Sequence, residues 1–203
     1  ITADNVRHWR FTTDTRVEGA RTEPWISEYE KYFSGNDSSK LYDGLVEAMT
    51  NCVHHAYTQK RKDNTNLKND IRWWMFSQMK NDLYTVAFCD LGIGIKNSLL
   101  EGKKWPVALV LRAVGAMRGD DSAYIRTALK LGSSKTAQEN RGKGLQDIQN
   151  VIKSIGKGAI TILSNKGMWS YSPTVETPEK YEDYADSILG TLILWQVPLT
   201  KAG

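Results

Sequence analysis

Apolar residues follow a helical spacing in some parts of the chain and a strand-like pattern in others. Over residues 40–59 they recur at intervals of three and four, which places them on one helix face. These apolar positions are Leu41, Leu45, Ala48, Met49, Cys52 and Ala56. Helices are also predicted over 105–118, 121–131 and 145–155. Runs rich in β-branched and aromatic residues predict strands over 71–79, 83–89, 159–164 and 190–197.

The order of the predicted elements indicates the fold class. Strands and helices are interspersed, but they do not alternate in the regular way that builds a doubly wound sheet. We therefore predict an α+β fold, a two-layer α/β sandwich in which helices cover one face of a mixed β-sheet. Residues 1–38 are polar with scattered aromatics and show no strong period. They are predicted to form an N-terminal extension that docks through its aromatic side chains, which leaves 39–203 as the main domain.

Composition narrows the classes of protein that fit. The 203 residues suffice for one domain with a substantial core. A net charge of +4 suits an anionic ligand but does not by itself indicate nucleic acid. No apolar run reaches the roughly 20 residues that a membrane span needs, and no secretory signal opens the chain. Two cysteines cannot form a disulfide framework, so we predict buried free thiols in a reducing, cytoplasmic environment.

Three short motifs carry candidate chemistry, and the first is a polar stripe on the helix predicted over 40–59. Glu47, Asn51 and His55 are spaced four residues apart, so they form a stripe beside the apolar face. A carboxylate and an amide carbonyl are oxygen ligands that Mg²⁺ accepts, directly or through water. The carboxylate could also deprotonate an attacking water. An ordinary solvated helix face is the alternative interpretation of the same stripe.

The second motif is Asp90-Leu-Gly-Ile-Gly-Ile, which stands where the strand predicted over 83–89 ends. Gly92 and Gly94 suit the close approach of a flat ligand to the backbone. The dinucleotide-binding fingerprint does not fit, because there the acid follows the glycines by about 20 residues. Asp90 can accept a hydrogen bond from an exocyclic amine, and it would then read adenine. A purely structural turn is the alternative.

The third motif, Arg141-Gly-Lys-Gly-Leu145, opens a predicted helix. Backbone amides at a helix N-terminus, with two cations nearby and glycines that admit the ligand, form a cradle for phosphate. The spacing of a Walker A loop is missing, as is the Ser or Thr after its lysine. Lys135, in the polar stretch before this motif, could reach a terminal phosphate. An unremarkable N-terminal turn is the alternative.

In this order, the motifs resemble those of the GHKL superfamily, the Bergerat-fold ATP-binding domains of DNA gyrase, Hsp90, histidine kinases and MutL. Glu47-Ala-Met-Thr-Asn51 resembles the N-box, E-x-x-x-N, and Asp90-Leu-Gly-Ile-Gly94 resembles the D-x-G-x-G box. Arg141–Leu145 resembles the second glycine box, at the hinge of the lid over the phosphates. Gly190-Thr191 resembles a late Gly-Thr pair whose hydroxyl supports the adenine-reading Asp. The resemblance covers roughly residues 39–198.

The resemblance implies binding of ATP with Mg²⁺. Glu47 would be the general base, Asn51 the Mg²⁺ ligand, and Asp90 the residue that reads the adenine amine. The further residues predicted to contact ATP are His55, Gly92, Gly94, Ile95, Lys135, Arg141, Gly142, Lys143, Gly144, Leu145 and Thr191.

The chain also departs from the histidine kinases of this superfamily. Gln146 stands where many of them carry a further glycine, and the insert between the two glycine boxes is long. No helical hairpin with a phosphoacceptor His precedes the domain, although the chain opens with Ile-Thr-Ala rather than Met, as a fragment would. These features favour an ATPase, or an ATP-gated switch whose lid over 133–141 closes for a protein partner or a second copy. A histidine-kinase-like phosphotransferase is the alternative.

Overall fold

One β-sheet organises the part of the chain that the structure describes, which comprises residues 10–30, 37–101, 120–132 and 144–199 of a computed structural model. Its strands are, in chain order, β1 (Arg10–Asp14), β2 (Trp73–Lys80), β3 (Leu83–Asp90), β4 (Ala159–Ser164), β5 (Gly167–Tyr171), β6 (Glu179–Asp183) and β7 (Thr191–Pro198). The four predicted strands are confirmed as β2, β3, β4 and β7, with ends that differ by a residue or two. β1, β5 and β6 have no counterpart in the prediction.

The strands are ordered β1-β2-β3-β7-β4-β5-β6, and each adjacent pair is antiparallel. The prediction of a mixed sheet is therefore wrong for these strands. β3 and β4 do run in the same direction, because the chain between them passes through helices before it returns to the sheet. β7 lies between them and is antiparallel to both, so the two same-direction strands never become neighbours.

The described α-helices are α1 (Glu23–Tyr29), α2 (Asp37–Asn51), α3 (Gly94–Glu101), α4 (Asp121–Gly132) and α5 (Gly144–Ile155). α4 and α5 confirm helices predicted from the sequence. The helix predicted over 40–59 is correct only as far as Asn51, because Cys52–Ala56 winds as a π-helix. α3 begins where only a turn was expected. The helix predicted over 105–118 lies outside the described residues.

One face of the sheet is buried beneath the helices. Alternate residues of the central strands are buried, and they include Tyr84, Val86, Phe88, Ile193, Trp195 and Val197. The intervening residues of these strands are mostly half-buried, which is the alternation of a sheet with one covered face. Trp195 donates its indole N–H to the carbonyl of Ile148 in α5 at 3.2 Å, which fixes that helix to the sheet. The chain therefore has an α+β fold.

A tight turn sets the register of β2 against β3. Asn81 and Asp82 connect the two strands with φ angles of 51° and 56°. A two-residue type I′ hairpin turn requires positive φ at both positions, and Asn and Asp tolerate it better than most residues. Lys80 and Leu83 are the paired residues that flank the turn, and the register that follows places Asp90 opposite Trp73.

The described part of the predicted N-terminal extension forms an edge strand of the sheet. β1 pairs with β2, and the Phe11 ring centroid lies 5.2 Å from that of Phe76. The indole N–H of Trp73 donates to the carbonyl of Arg16 at 2.8 Å. Aromatic side chains of both segments thus take part in the docking, while the division of the chain at residue 38 stays a prediction.

Both cysteines are free thiols; Cys52 is buried, as predicted, whereas Cys89 is half-buried. Burial raises the pKa of the Cys52 thiol far above its usual range, so the thiol stays protonated. None of the helices described is long and apolar enough to cross a membrane.

Candidate functional site

Asp90 is the last residue of β3, and its side chain is buried. Its Oδ1 accepts a hydrogen bond from the backbone N–H of Gly92 at 2.8 Å. Thr191 lies directly opposite in the β3–β7 register, and its backbone N–H and hydroxyl are near enough to the carboxylate to lower its pKa. Burial raises the pKa of Asp90 to about 6, against these hydrogen bonds, which lower it. Asp90 is therefore mainly a carboxylate at pH 7.

The Asp90 carboxylate retains acceptor capacity. An ionised carboxylate offers about four lone-pair positions, of which the Gly92 N–H occupies one. The residue is 7% exposed. A further N–H donor, such as the exocyclic amine of a base, would find an acceptor position on this carboxylate.

Thr191 connects Asp90 to the end of β4. The Thr191 hydroxyl lies 3.3 Å from Ser164 Oγ, and Ser164 Oγ accepts the backbone N–H of Ile95 at 2.8 Å. These hydroxyls join the start of β7, the end of β4 and the first turn of α3. The contact between Thr191 and Asp90 is the one that the resemblance implies. Ser164 was not predicted, because a single Ser at a strand end carries no signal in the sequence.

Gly92 and Gly94 are required by packing within the protein. A Cβ at Gly92 would lie 2.2 Å from the carbonyl oxygen of Ala56, and a Cβ at Gly94 would lie 2.3 Å from the amide nitrogen of Asn165. Gly94 also has a φ of +77°, which favours glycine. The Asn165 amide in turn donates to the carbonyl of Ile93 at 3.0 Å. The admission of a flat ligand by these glycines stays a prediction.

Glu47 and Asn51 lie one turn apart at the end of α2, and both are half-buried. Asn51 Nδ2 donates to Glu47 Oε1 at 3.3 Å. This contact uses the amide nitrogen of Asn51 and leaves its carbonyl oxygen to meet a cation or a water. The structure therefore brings together the two residues predicted for the reaction end of the site.

The π-helix over Cys52–Ala56 follows Asn51 directly. Such segments are rare and occur frequently at functional sites. Because their i→i+5 bonding turns the backbone less per residue than an α-helix does, the straight stripe predicted for Glu47, Asn51 and His55 ends at Asn51. His55 is half-buried, and its ring lies edge-on to that of His54 with centroids 6.1 Å apart. The apolar spacing of the sequence does not signal this change of winding.

The end of the π-helix joins the Glu47–Asn51 pair to the Asp90 loop. The carbonyl of Ala56 accepts the backbone N–H of Ile93 at 2.7 Å. The buried Tyr57 accepts the N–H of Leu91 at 3.0 Å and donates its hydroxyl to the carbonyl of Arg72 at 2.5 Å. The first two motifs thus form one hydrogen-bonded unit, which Tyr57 completes without having been predicted.

The third motif is described only at its end. Gly144 and Leu145 open α5, and α5 packs along α2, the helix that carries Glu47 and Asn51. The other residues predicted to contact phosphate lie outside the described residues; they are Lys135, Arg141, Gly142 and Lys143.

The described residues offer few oxygen ligands, which suffices for a magnesium ion whose other ligands come mainly from a nucleotide and from water. Among the described residues, no group of three or more His, Cys, Asp or Glu side chains could hold a metal ion. Mg²⁺ commonly keeps several waters and takes one or two protein oxygens together with substrate phosphates. The carbonyl oxygen of Asn51, with Glu47 beside it, matches that requirement.

The sequence matches no model of a known protein family, and no curated protein matches it either. Support for a function therefore comes from the site itself. Its firmest part is the buried Asp90 carboxylate, to which the Gly92 N–H donates.

Proposed function

We propose that the chain is an Mg-dependent ATP-binding domain of GHKL type in which Asp90 reads the adenine amine. The observation that carries this proposal is the buried Asp90 carboxylate, which accepts the N–H of Gly92 and keeps further lone-pair positions for a donor. A buried charge is costly when its hydrogen bonding is incomplete. A donor from a bound base would remove part of that cost. The neighbouring loop at Gly92 and Gly94 would lie along the base.

Glu47 and Asn51 form the reaction end of the proposed site. The side-chain oxygen of Asn51 would hold the magnesium ion, which when bound neutralises charge on the phosphates. Glu47, held by its contact with Asn51, would accept the proton of an attacking water. The phosphates would lie at the first amides of α5, beside Gly144 and Leu145, with Lys135, Arg141 and Lys143 as cations.

Hydrolysis coupled to a conformational change is the activity we favour. The base at Glu47 supports hydrolysis, because a domain that only binds ATP has no need of it. Closure of the segment 133–141 over the phosphates would present a surface to a protein partner or to a second copy of the chain. The cytoplasm, where free thiols stay reduced, is the compartment that fits this proposal.

The proposal is tested by following the label of γ-labelled Mg-ATP. Wild type should release it as free phosphate, and Glu47→Ala should release it about 10²- to 10⁴-fold more slowly, because the base is lost. Asp43→Ala is the matched control, since it removes an exposed carboxylate one turn earlier on the same helix. That variant should match wild type.

Two other outcomes would change the assignment. Label that stays on this chain, or passes to an added protein, would make the domain a phosphotransferase of the histidine-kinase kind. Failure of well-folded wild type to bind Mg-ATP in calorimetry would refute the nucleotide site altogether.

A further inference from the structure

Arg61 lies in the loop that follows the π-helix, and its guanidinium reaches back to the Asp90 loop. One terminal nitrogen donates to the carbonyl of Leu91 at 3.3 Å and to the carbonyl of Leu189 at 3.2 Å. Leu91 directly follows Asp90, and Leu189 stands two residues before Thr191. One side chain therefore bridges the two backbone segments that carry the Asp90 carboxylate and Thr191, the residue opposite it in the sheet.

The guanidinium is held in this position from its other side. Asp63 accepts from Arg61 Nε at 3.1 Å and from the second terminal nitrogen at 2.6 Å. The guanidinium beside Asp63 holds the pKa of that carboxyl well below its usual range, so Asp63 stays ionised at ordinary pH values. The Arg61 side chain is only 14% exposed. A planar, five-donor guanidinium suits this bridge, whereas the single ammonium of a lysine does not.

The backbone at Leu189 needs such support. Leu189 has a φ of +54°, a conformation that is unusual for a bulky residue. A strained backbone of this kind persists only where surrounding contacts determine it. The Leu189 N–H donates to Ser187 Oγ at 3.1 Å, and its carbonyl accepts from Arg61. Arg61 thus stabilises the turn that delivers Thr191 to Asp90.

We propose that Arg61, fixed by Asp63, is a positioning residue that sets the selectivity of the site for adenine by holding Asp90 and Thr191 in register. The inference rests on the proposed function, because it gives the base end of that site its geometry. Arg61 touches neither the base nor the phosphates in this account. Its loss should weaken recognition of the base and leave phosphate binding unchanged.

The test is calorimetry of Mg-ATP and Mg-GTP with wild type, Arg61→Gln and Arg61→Lys. Arg61→Gln should bind ATP about tenfold more weakly while its weaker, phosphate-driven binding of GTP is unchanged, so the preference for ATP falls about tenfold. Arg61→Lys should lie between this variant and wild type, because one ammonium can reach one of the two carbonyls. Arg21→Gln removes another arginine that pairs with an aspartate, Asp14, and should keep the wild-type preference.

If Arg61 only stabilises the fold, the result is different. ATP and GTP affinity would then fall together with the folded fraction, and their ratio would stay at the wild-type value; that result overturns the inference. Asp63→Asn keeps Arg61 but removes the carboxylate that fixes it, so the preference for ATP over GTP should fall partly. This variant replaces Arg61→Gln if Arg61→Gln does not fold. If wild type binds neither nucleotide, the proposed function is refuted and this inference with it. If wild type prefers ATP and Arg61→Gln prefers it equally, only the inference is refuted.

Discussion

The two ends of the proposed nucleotide site differ in how they are held. At the base end, Asp90 accepts the N–H of Gly92 from its own loop and lies opposite Thr191 of β7, and the loop is bonded in turn to Ala56, Ser164 and Asn165. At the reaction end, Glu47 and Asn51 stand on one helix, half-buried, with 3.3 Å between their polar atoms. In the proposed site, recognition of the base would thus be built into the sheet, while the Glu47–Asn51 pair could adjust when a ligand binds.

This contrast is consistent with the proposed function. Hydrogen bonds between catalytic groups are often long before the substrate is bound, and they tighten in the complex. A recognition group gains more from being fixed in advance, because less entropy is then lost on binding. Substitutions at the base end should therefore disturb both the fold and affinity, and substitutions at the reaction end should disturb turnover alone.

The largest effect at the base end is expected from Gly92→Ala. The added Cβ would lie 2.2 Å from the carbonyl oxygen of Ala56, so the loop and the π-helix must separate and Asp90 must move. A displacement of about 1 Å in a site can cost about a hundredfold in rate, and we expect kcat/KM for ATP to fall by that order. Overpacking should also cost about 1–3 kcal/mol of the free energy of unfolding.

Gly156→Ala is the glycine control, because it adds a Cβ that meets no other atom. Gly156 has a φ of +73°, but a Cβ there would meet no atom within 4 Å. This variant should lose about 1–2 kcal/mol of stability and keep its affinity for ATP. Wild-type kinetics in Gly92→Ala would contradict the close contact between the two motifs.

A smaller loss is expected from Asp90→Asn. The substitution replaces an ionised acceptor by a neutral amide, and a hydrogen bond to a charged group contributes about 1.5–3 kcal/mol. Calorimetry should therefore show Mg-ATP binding weakened about tenfold or more. Thr191→Ser retains both donors to Asp90 and should bind ATP as wild type does. Unchanged affinity in Asp90→Asn would remove Asp90 from the base end.

The sequence could predict this end of the site because its signals are local. Asp90, Gly92 and Gly94 stand within five residues at a strand end, and the strand itself is recognisable from its β-forming residues. Thr191 opens a second apolar strand, and the resemblance alone connected the two. In the folded sheet β3 and β7 are neighbours, and their register places Asp90 opposite Thr191.

The features that the sequence could not predict depend on contacts between residues far apart in the chain, or on the winding of a helix. Asn165 and Arg61 are ordinary polar residues in loops, and only the folded chain brings them to Ile93 and Leu91. The π-helix keeps the residue types of an α-helix, so the apolar spacing continues past Asn51 while the geometry changes. β6 is exposed at every position, and hydrophobic alternation therefore gives no sign of it.

The smallest effect is expected from protonation of Asp90, which tests the base end of the site alone. Burial raises its pKa to about 6, so the carboxylate gains a proton as the pH falls through that value and loses an acceptor for the adenine amine. Affinity for adenosine, which carries no phosphate to titrate, should be about twofold lower at pH 6 than at pH 8, and about tenfold lower at pH 5. Asp90→Asn, measured in parallel, should show no such step. If wild type bound adenosine equally well from pH 8 to pH 5, the amine would have to be read by another group, since nothing at the reaction end touches the base in this site.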